Sequence, residues 1–155
     1  MRVVITANGE GSRMKDYKIP KFLLEYNKKP IIVHLLNTFP SAIILTHHKI
    51  DWLPIYQCEK TNSRKETLEY LKGWEKTLIV DCDIIVPDYK IIEHSCDTLY
   101  VKNNINAGLY YVENVSKLLN KMTGDDIVSG MIDYKKIEIK TIHLGTPLEY
   151  DNNCC

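Results

Sequence analysis

At 155 residues, 45% hydrophobic and 26% charged, the chain is large enough for one substantial core and has the balance of an ordinary soluble globular protein, which makes a single domain over 1–155 the expectation. Its 20 basic and 20 acidic residues cancel to zero net charge, so no basic excess points to nucleic acid or to an anionic membrane as a partner. The longest apolar-rich stretch, 30–45, is interrupted by His34, Asn37, Pro40 and Ser41 and cannot cross a bilayer.

In chain order, the apolar run at 2–6 reads as a strand, and 29–39 reads as a helix in which Ile31, Leu35 and Phe39 recur every four residues behind Pro30. Strands are expected at 42–46 and 54–57. A helix is expected over 63–74, where Ser63-Arg64-Lys65-Glu66 is a capping-box pattern and Leu68 and Leu71 supply the buried face. The strand at 77–82 is followed by a helix at 86–94, strands at 97–101 and 107–112, helices at 113–122 and 125–132, and a strand at 136–143. Strands alternating with helices predict an α/β fold with a mostly parallel sheet covered on both faces, whose ligands bind at the carboxyl ends of the strands.

The first strand ends in Ala7-Asn8-Gly9-Glu10-Gly11-Ser12-Arg13-Met14, followed by Pro20-Lys21 and Lys29-Pro30. Glycines let backbone N–H groups approach an anion closely, and successive amides in a tight turn make a concave anion site. Arg13 and Lys21 supply the charge a polyphosphate needs.

This run resembles the N-terminal signature of the nucleotidyltransferases, which transfer an NMP from an NTP onto a phosphorylated sugar or alcohol. Ala7, Gly9, Gly11, Ser12, Arg13, Met14, Pro20, Lys21, Lys29 and Pro30 stand in the signature's places, while Asn8 replaces its first glycine and Lys28 the glycine of its second part. The order Gly-Ser-Arg-Met is also similar to the cytidylyltransferases acting on methylerythritol phosphate and the guanylyltransferases acting on molybdopterin. The resemblance implies a compact, Rossmann-like three-layer sandwich of the nucleotide-diphospho-sugar transferase type, with a mostly parallel mixed sheet. It implies nucleotide contacts at Ala7, Asn8, Gly9, Glu10, Gly11 and Ser12, and catalytic cations at Arg13, for the leaving pyrophosphate, and Lys21, for the α-phosphate.

Three later segments extend the resemblance. Leu78-Ile79-Val80-Asp81-Cys82-Asp83 is an apolar strand that ends in two aspartates on one face, hard oxygen donors suited to Mg²⁺ or its substitute Mn²⁺; the alternative is a pair of solvated turn residues. In the family one aspartate here holds the metal, and Asp83 fits that place best, with Asp81 beside it. Gln57 to Thr67 resembles the base-reading stretch, which implicates Gln57 and Ser63, against a plain capped surface helix. Asn106-Ala107-Gly108-Leu109-Tyr110 resembles the acceptor-lining segment, which implicates Asn106 and Gly108; a turn into a buried strand would select the same residues. In His143-Leu144-Gly145-Thr146-Pro147-Leu148-Glu149-Tyr150, His143 stands where the family has a second metal-binding aspartate, although imidazole is a poor Mg²⁺ ligand.

The expected reaction is therefore Mg²⁺-dependent nucleotidyl transfer from an NTP to a sugar 1-phosphate or similar phosphomonoester, with release of pyrophosphate. The span from Asp83 to Asn106 is short for an acceptor-binding lobe, so either the acceptor is small or a second subunit of a homo-oligomer completes the pocket. Two alternatives stay open: a non-catalytic nucleotide-binding relative, and a glycosyltransferase that uses an NDP-sugar through Asp81-x-Asp83. Five cysteines without a Cys-x-x-Cys pair suit reduced thiols. Asn8, Glu10 and Arg13 interrupt what a leader peptide would need as an apolar run, so a cytoplasmic protein is expected.

Overall fold

The computed structural model describes residues 1–9 and 19–154. Strand β1 (Arg2–Thr6) is followed, after a short 3₁₀ turn at Lys21–Leu23, by a small hairpin, β2 (Glu25–Tyr26) and β3 (Lys29–Pro30), and by helix α1 (Ile31–Thr38). Next come β4 (Ile43–Thr46), β5 (Ile55–Gln57), helix α2 (Arg64–Glu69), β6 (Glu75–Asp81), β7 (Ile84–Ile85), β8 (Thr98–Lys102) and β9 (Ile105–Asn114). Helices α3 (Val115–Lys121) and α4 (Ile127–Gly130), strands β10 (Lys135–Glu138) and β11 (Ile142–His143) and helix α5 (Pro147–Cys154) complete the fold.

Seven strands form one sheet in the order β10-β8-β9-β6-β1-β4-β5. β1 runs parallel to β4 and β6, β4 parallel to β5, and β10 parallel to β8. β9 lies antiparallel between β6 and β8. The sheet is thus mostly parallel and mixed, as the alternation of elements predicts. Strand side chains alternate between faces, and here both faces are buried. Ile5, Ile44, Leu78, Val80, Leu109 and Tyr111 point into a core with α1, Phe22 and Leu144. Their neighbours Val4, Leu45, Ile79, Tyr110 and Val112 point into a second core with Leu68 of α2 and Leu118 of α3. The result is three layers.

Local chemistry explains the ends of the elements. Pro30 precedes α1, which buries Ile31, Ile32 and Leu35. The Ser63 hydroxyl accepts from the Glu66 N–H at 3.1 Å, and Glu66 reaches back to the Asn62 N–H at 2.9 Å, a capping box moved by one residue. α2 stops at Glu69, well short of the helix expected to 74; the chain then turns through Gly73 at φ 86°. β8 and β9 form a hairpin closed by Asn103 and Asn104 at φ 52° and 64°, the left-handed pair of a type I′ turn.

Three further expectations are corrected. Residues 86–94 form no helix: Ile92 and His94 are half-buried while Ile91 and Glu93 are exposed, a period of two. Tyr89 packs on Phe39, with ring centroids 4.7 Å apart, and His94 stacks on Tyr111 at 4.0 Å, so tertiary contacts rather than helical hydrogen bonds hold this segment. The strand expected over 136–143 divides, because β11 leaves the main sheet to pair antiparallel with β7. α5 is an additional helix, started by Thr146 and Glu149: the Thr146 N–H donates to Glu149 Oε2 at 3.0 Å and the Glu149 N–H to Thr146 Oγ1 at 3.3 Å, with Pro147 at the first helical position.

Candidate functional site

β1 and β6 are adjacent and parallel, with Thr6 paired in register to Asp81, so the Ala7–Gly9 turn and the Asp81–Asp83 run emerge side by side at their carboxyl ends. A pocket of about 340 Å³ opens there, lined by Asn8 and Gly9 on one side, Asp81, Cys82 and Asp83 on another, and Asn62, Ser63 and Arg64 at the start of α2. Lys21 reaches into it from the turn after Pro20.

Each aspartate is paired with a cation. Lys21 Nζ donates to Asp83 Oδ2 at 2.8 Å and to the Gly145 carbonyl at 3.1 Å. Arg64 Nη2 donates to Asp81 Oδ1 at 3.0 Å. Tyr110 connects the second pair: Arg64 Nη1 lies 3.4 Å from its hydroxyl, which lies 3.5 Å from Asp81 Oδ2. Burial raises the Asp81 pKa above the ordinary carboxylate range; Arg64 opposes that shift and Asp83, a like charge nearby, adds to it. Burial pushes the Cys82 thiol up to about 12, so it stays protonated and is no nucleophile at neutral pH.

The Gly145 and Gly108 segments close on the aspartates from two directions. The Leu144 N–H donates to the Asp83 carbonyl at 2.7 Å, and a Cβ on Gly145 would stand 2.8 Å from Asp83 Oδ2, so only glycine allows this approach. Gly108 has φ 81°, and a Cβ there would stand 3.3 Å from the Asp81 Cβ. Its N–H donates to Asn106 Oδ1 at 2.9 Å, while Asn106 Nδ2 donates to the Tyr110 hydroxyl at 2.7 Å. Asn106 also lines a second cavity, of about 490 Å³, with Lys102, Ile105, His143 and Glu149.

The remaining residues singled out in the sequence are placed as follows. Ala7 is buried, with its N–H on Leu45 and its carbonyl on the Thr46 hydroxyl. Gln57, at the end of edge strand β5, donates to the His47 carbonyl at 2.9 Å and does not line the pocket. His143 lines the second cavity, with Nε2 3.4 Å from the Thr141 hydroxyl. It is not gathered with Asp81 and Asp83: among the described residues no three His, Cys, Asp or Glu side chains converge as metal ligands. Glu10, Gly11, Ser12 and Arg13 lie outside the described residues. Arg64 and Tyr110 were not foreseen as partners of Asp81; Arg64 sits one residue after the capping serine and Tyr110 two after Gly108, but nothing local shows that they meet.

The donor set suits Mg²⁺ without a third protein ligand. Mg²⁺ is commonly held by one or two carboxylates together with substrate phosphates and water, and Asp81 and Asp83 offer hard oxygens from one strand end into one pocket.

No protein-family model matches the sequence. Solved structures resemble the chain over nearly its whole length. A nucleoside-diphosphate-sugar pyrophosphorylase from Vibrio cholerae matches with a TM-score of 0.71 at 16% identity, covering 98% of this chain and 99% of that one. A CTP:phosphocholine cytidylyltransferase from Streptococcus pneumoniae matches with a TM-score of 0.74 at 14% identity, covering 97% and 96%. A UDP-glucose pyrophosphorylase from Acinetobacter baumannii matches with a TM-score of 0.71 at 10% identity, covering 99% and 91%. Three-layer architecture and structural likeness agree, and the chain has the fold of these pyrophosphorylase and cytidylyltransferase structures.

Proposed function

We propose that the protein transfers an NMP from an NTP to a small phosphomonoester, a sugar 1-phosphate or a phospho-alcohol, and releases pyrophosphate. The observation that carries this reading is the convergence of Lys21, Arg64, Asp81 and Asp83 from three chain segments on one pocket at the carboxyl ends of β1 and β6. The acceptor phosphate is already an anion at neutral pH, so the reaction needs no strong general base. Its barrier lies in bringing two anions together and in stabilising charge on the α-phosphoryl group and on the departing pyrophosphate.

Each residue then has a role. Lys21 faces the α-phosphate and the incoming oxygen, and its bonds to Asp83 and Gly145 fix where its charge stands. Asp83, with Asp81, would hold Mg²⁺, which would supply charge to screen the phosphates. Arg13 serves the leaving pyrophosphate, and Gly9, Gly11 and their neighbours the phosphate loop. The uncharged part of the lining, at Asn62 and Ser63, suits the nucleoside. The second cavity, with Asn106 at its edge, suits the acceptor. The structural relatives support this substrate class: by name, one is a phosphocholine cytidylyltransferase and another a UDP-glucose pyrophosphorylase.

The test is pyrophosphate release with Mg²⁺ or Mn²⁺, for ATP, GTP, CTP, UTP and dTTP against a panel of sugar 1-phosphates and phospho-alcohols. Release that needs one NTP–acceptor pair, and is lost in Lys21→Ala and Asp83→Asn, supports the reading. NTP binding without release on any acceptor would favour a non-catalytic relative, and turnover of a preformed NDP-sugar a glycosyltransferase.

A further inference from the structure

Asn8 has the most complete set of partners of any polar side chain in the pocket. It is 2% exposed, at the turn that leaves β1. Its Oδ1 accepts from the His47 backbone N–H at 2.9 Å and also lies against His47 Nδ1. Because the backbone N–H can only donate, Oδ1 is the acceptor, and His47 presents a protonated Nδ1 to it. Asn8 Nδ2 then donates to the Glu59 carbonyl at 3.0 Å and to Thr61 Oγ1 at 2.9 Å, with Thr67 Oγ1 at 3.4 Å. An asparagine amide has two N–H donors and one oxygen with two lone pairs, and all are in use.

These partners belong to three separate segments: the end of β4, the 59–61 loop after β5, and helix α2. Thr61, which Asn8 holds, is itself 2.5 Å from Thr67 Oγ1 and 3.3 Å from the Ser63 carbonyl. Thr61, Asn62 and Ser63 are uncharged residues that line the pocket together with the charged Lys21, Arg64, Asp81 and Asp83. They belong to a loop with few ladder bonds of its own, so its position depends on the side-chain ties beneath it.

We infer that Asn8 is a positioning residue that fixes the 59–63 loop as the wall selecting the nucleobase, and that its side chain does not touch the nucleotide. The sequence reading puts Asn8 in direct contact with the ligand; its saturated amide assigns it to the layer behind that contact. The inference rests on the proposed reading of the pocket as an NTP site. Phosphates go to the charged part of the lining, where Lys21, Arg64 and the aspartates stand. The base then faces the wall that Asn8 ties down.

The test is titration calorimetry with Mg²⁺, using the five NTPs and, as a probe lacking a base, inorganic tripolyphosphate. The wild-type protein is measured first, then Asn8→Ala and Thr61→Val, the second removing only the hydroxyl that Asn8 holds. In both variants the favoured NTP should bind about tenfold more weakly, the effect of one lost buried hydrogen bond. Discrimination among bases should shrink, and tripolyphosphate should bind as in wild type. NTP affinity and base preference unchanged in both variants would overturn the inference, as would an equal loss of NTP and tripolyphosphate. If Asn8→Ala does not fold, Thr61→Val carries the same comparison. Failure of the wild-type protein to bind any NTP would instead overturn the nucleotide reading itself.

Discussion

The ammonium of Lys21 and the Oδ2 of Asp83 stand 2.8 Å apart, although 3₁₀ turn and strand end are far apart in sequence. Both side chains are largely buried, so solvent screens the pair little. Removing one partner leaves the other charge in a poorly solvated place. Lys21→Ala and Asp83→Asn should each lower turnover about a hundredfold or more, the order expected when a preorganised charge at a reacting phosphate is lost. Single-turnover pyrophosphate release measures this, and near-full turnover of Lys21→Ala would remove Lys21 from the catalytic centre.

Both aspartates are matched by internal cations, Lys21 for Asp83 and Arg64 for Asp81. A divalent cation alone must compete with two formed ion pairs, whereas a triphosphate offers Lys21 and Arg64 other partners. Mg²⁺ or Mn²⁺ should therefore bind weakly alone and at least about tenfold more tightly with an NTP, a coupling that is reciprocal. Mn²⁺ titration followed by electron paramagnetic resonance, with and without the nucleotide, checks it. Equal affinity in both conditions would count against the exchange of partners.

Gly145 gives a sharper test of geometry. A Cβ there would stand 2.8 Å from Asp83 Oδ2, inside any normal contact, so Gly145→Ala must displace the carboxylate. Its expected signature is a loss of turnover of about tenfold or more with a stability loss of about 1 kcal/mol, set by how far the site relaxes. Thermal denaturation beside steady-state kinetics separates the two. Gly9, whose Cβ would meet nothing within 4 Å, serves as the contrast: Gly9→Ala should leave stability within about 0.5 kcal/mol of wild type.

The pH dependence of stability carries a readable contribution from His94. Burial lowers its pKa below 6.5, with Glu113 opposing, and its neutral ring stacks on Tyr111 with Nε2 3.1 Å from the Tyr100 hydroxyl. The folded state therefore binds that proton less well than the unfolded chain. The stabilisation it brings is complete above pH 6.5 and is lost as pH falls through the depressed folded value. Burial of Asp81 has the opposite sign, favouring the fold at low pH and less so as pH rises, so the comparison must isolate the histidine. Urea unfolding at pH 7 and pH 5 should show a larger acid loss for wild type than for His94→Gln; equal losses would mean that His94 does not carry it.

Most of the alternation of strands and helices, the burial of both sheet faces and the clustering of polar residues at the strand ends, residues 6–9 and 81–83, were legible in the amino-acid sequence. They depend on local periodicity, on the glycine turn and on acidic residues after an apolar run, which a chain displays in one dimension. The Ser63–Glu66 cap was legible for the same reason. The irregular course of 86–94 was not, because it is decided by Tyr89 and His94 packing on rings from α1's end and from β9. What only the tertiary structure decided is who stands opposite whom: Arg64 beside Asp81, Gly145 rather than His143 against Asp83, and three chain segments around the Asn8 amide. Such pairings follow from strand order and loop closure, and hydrogen-bond complementarity between distant segments leaves no periodic trace in the sequence that encodes it.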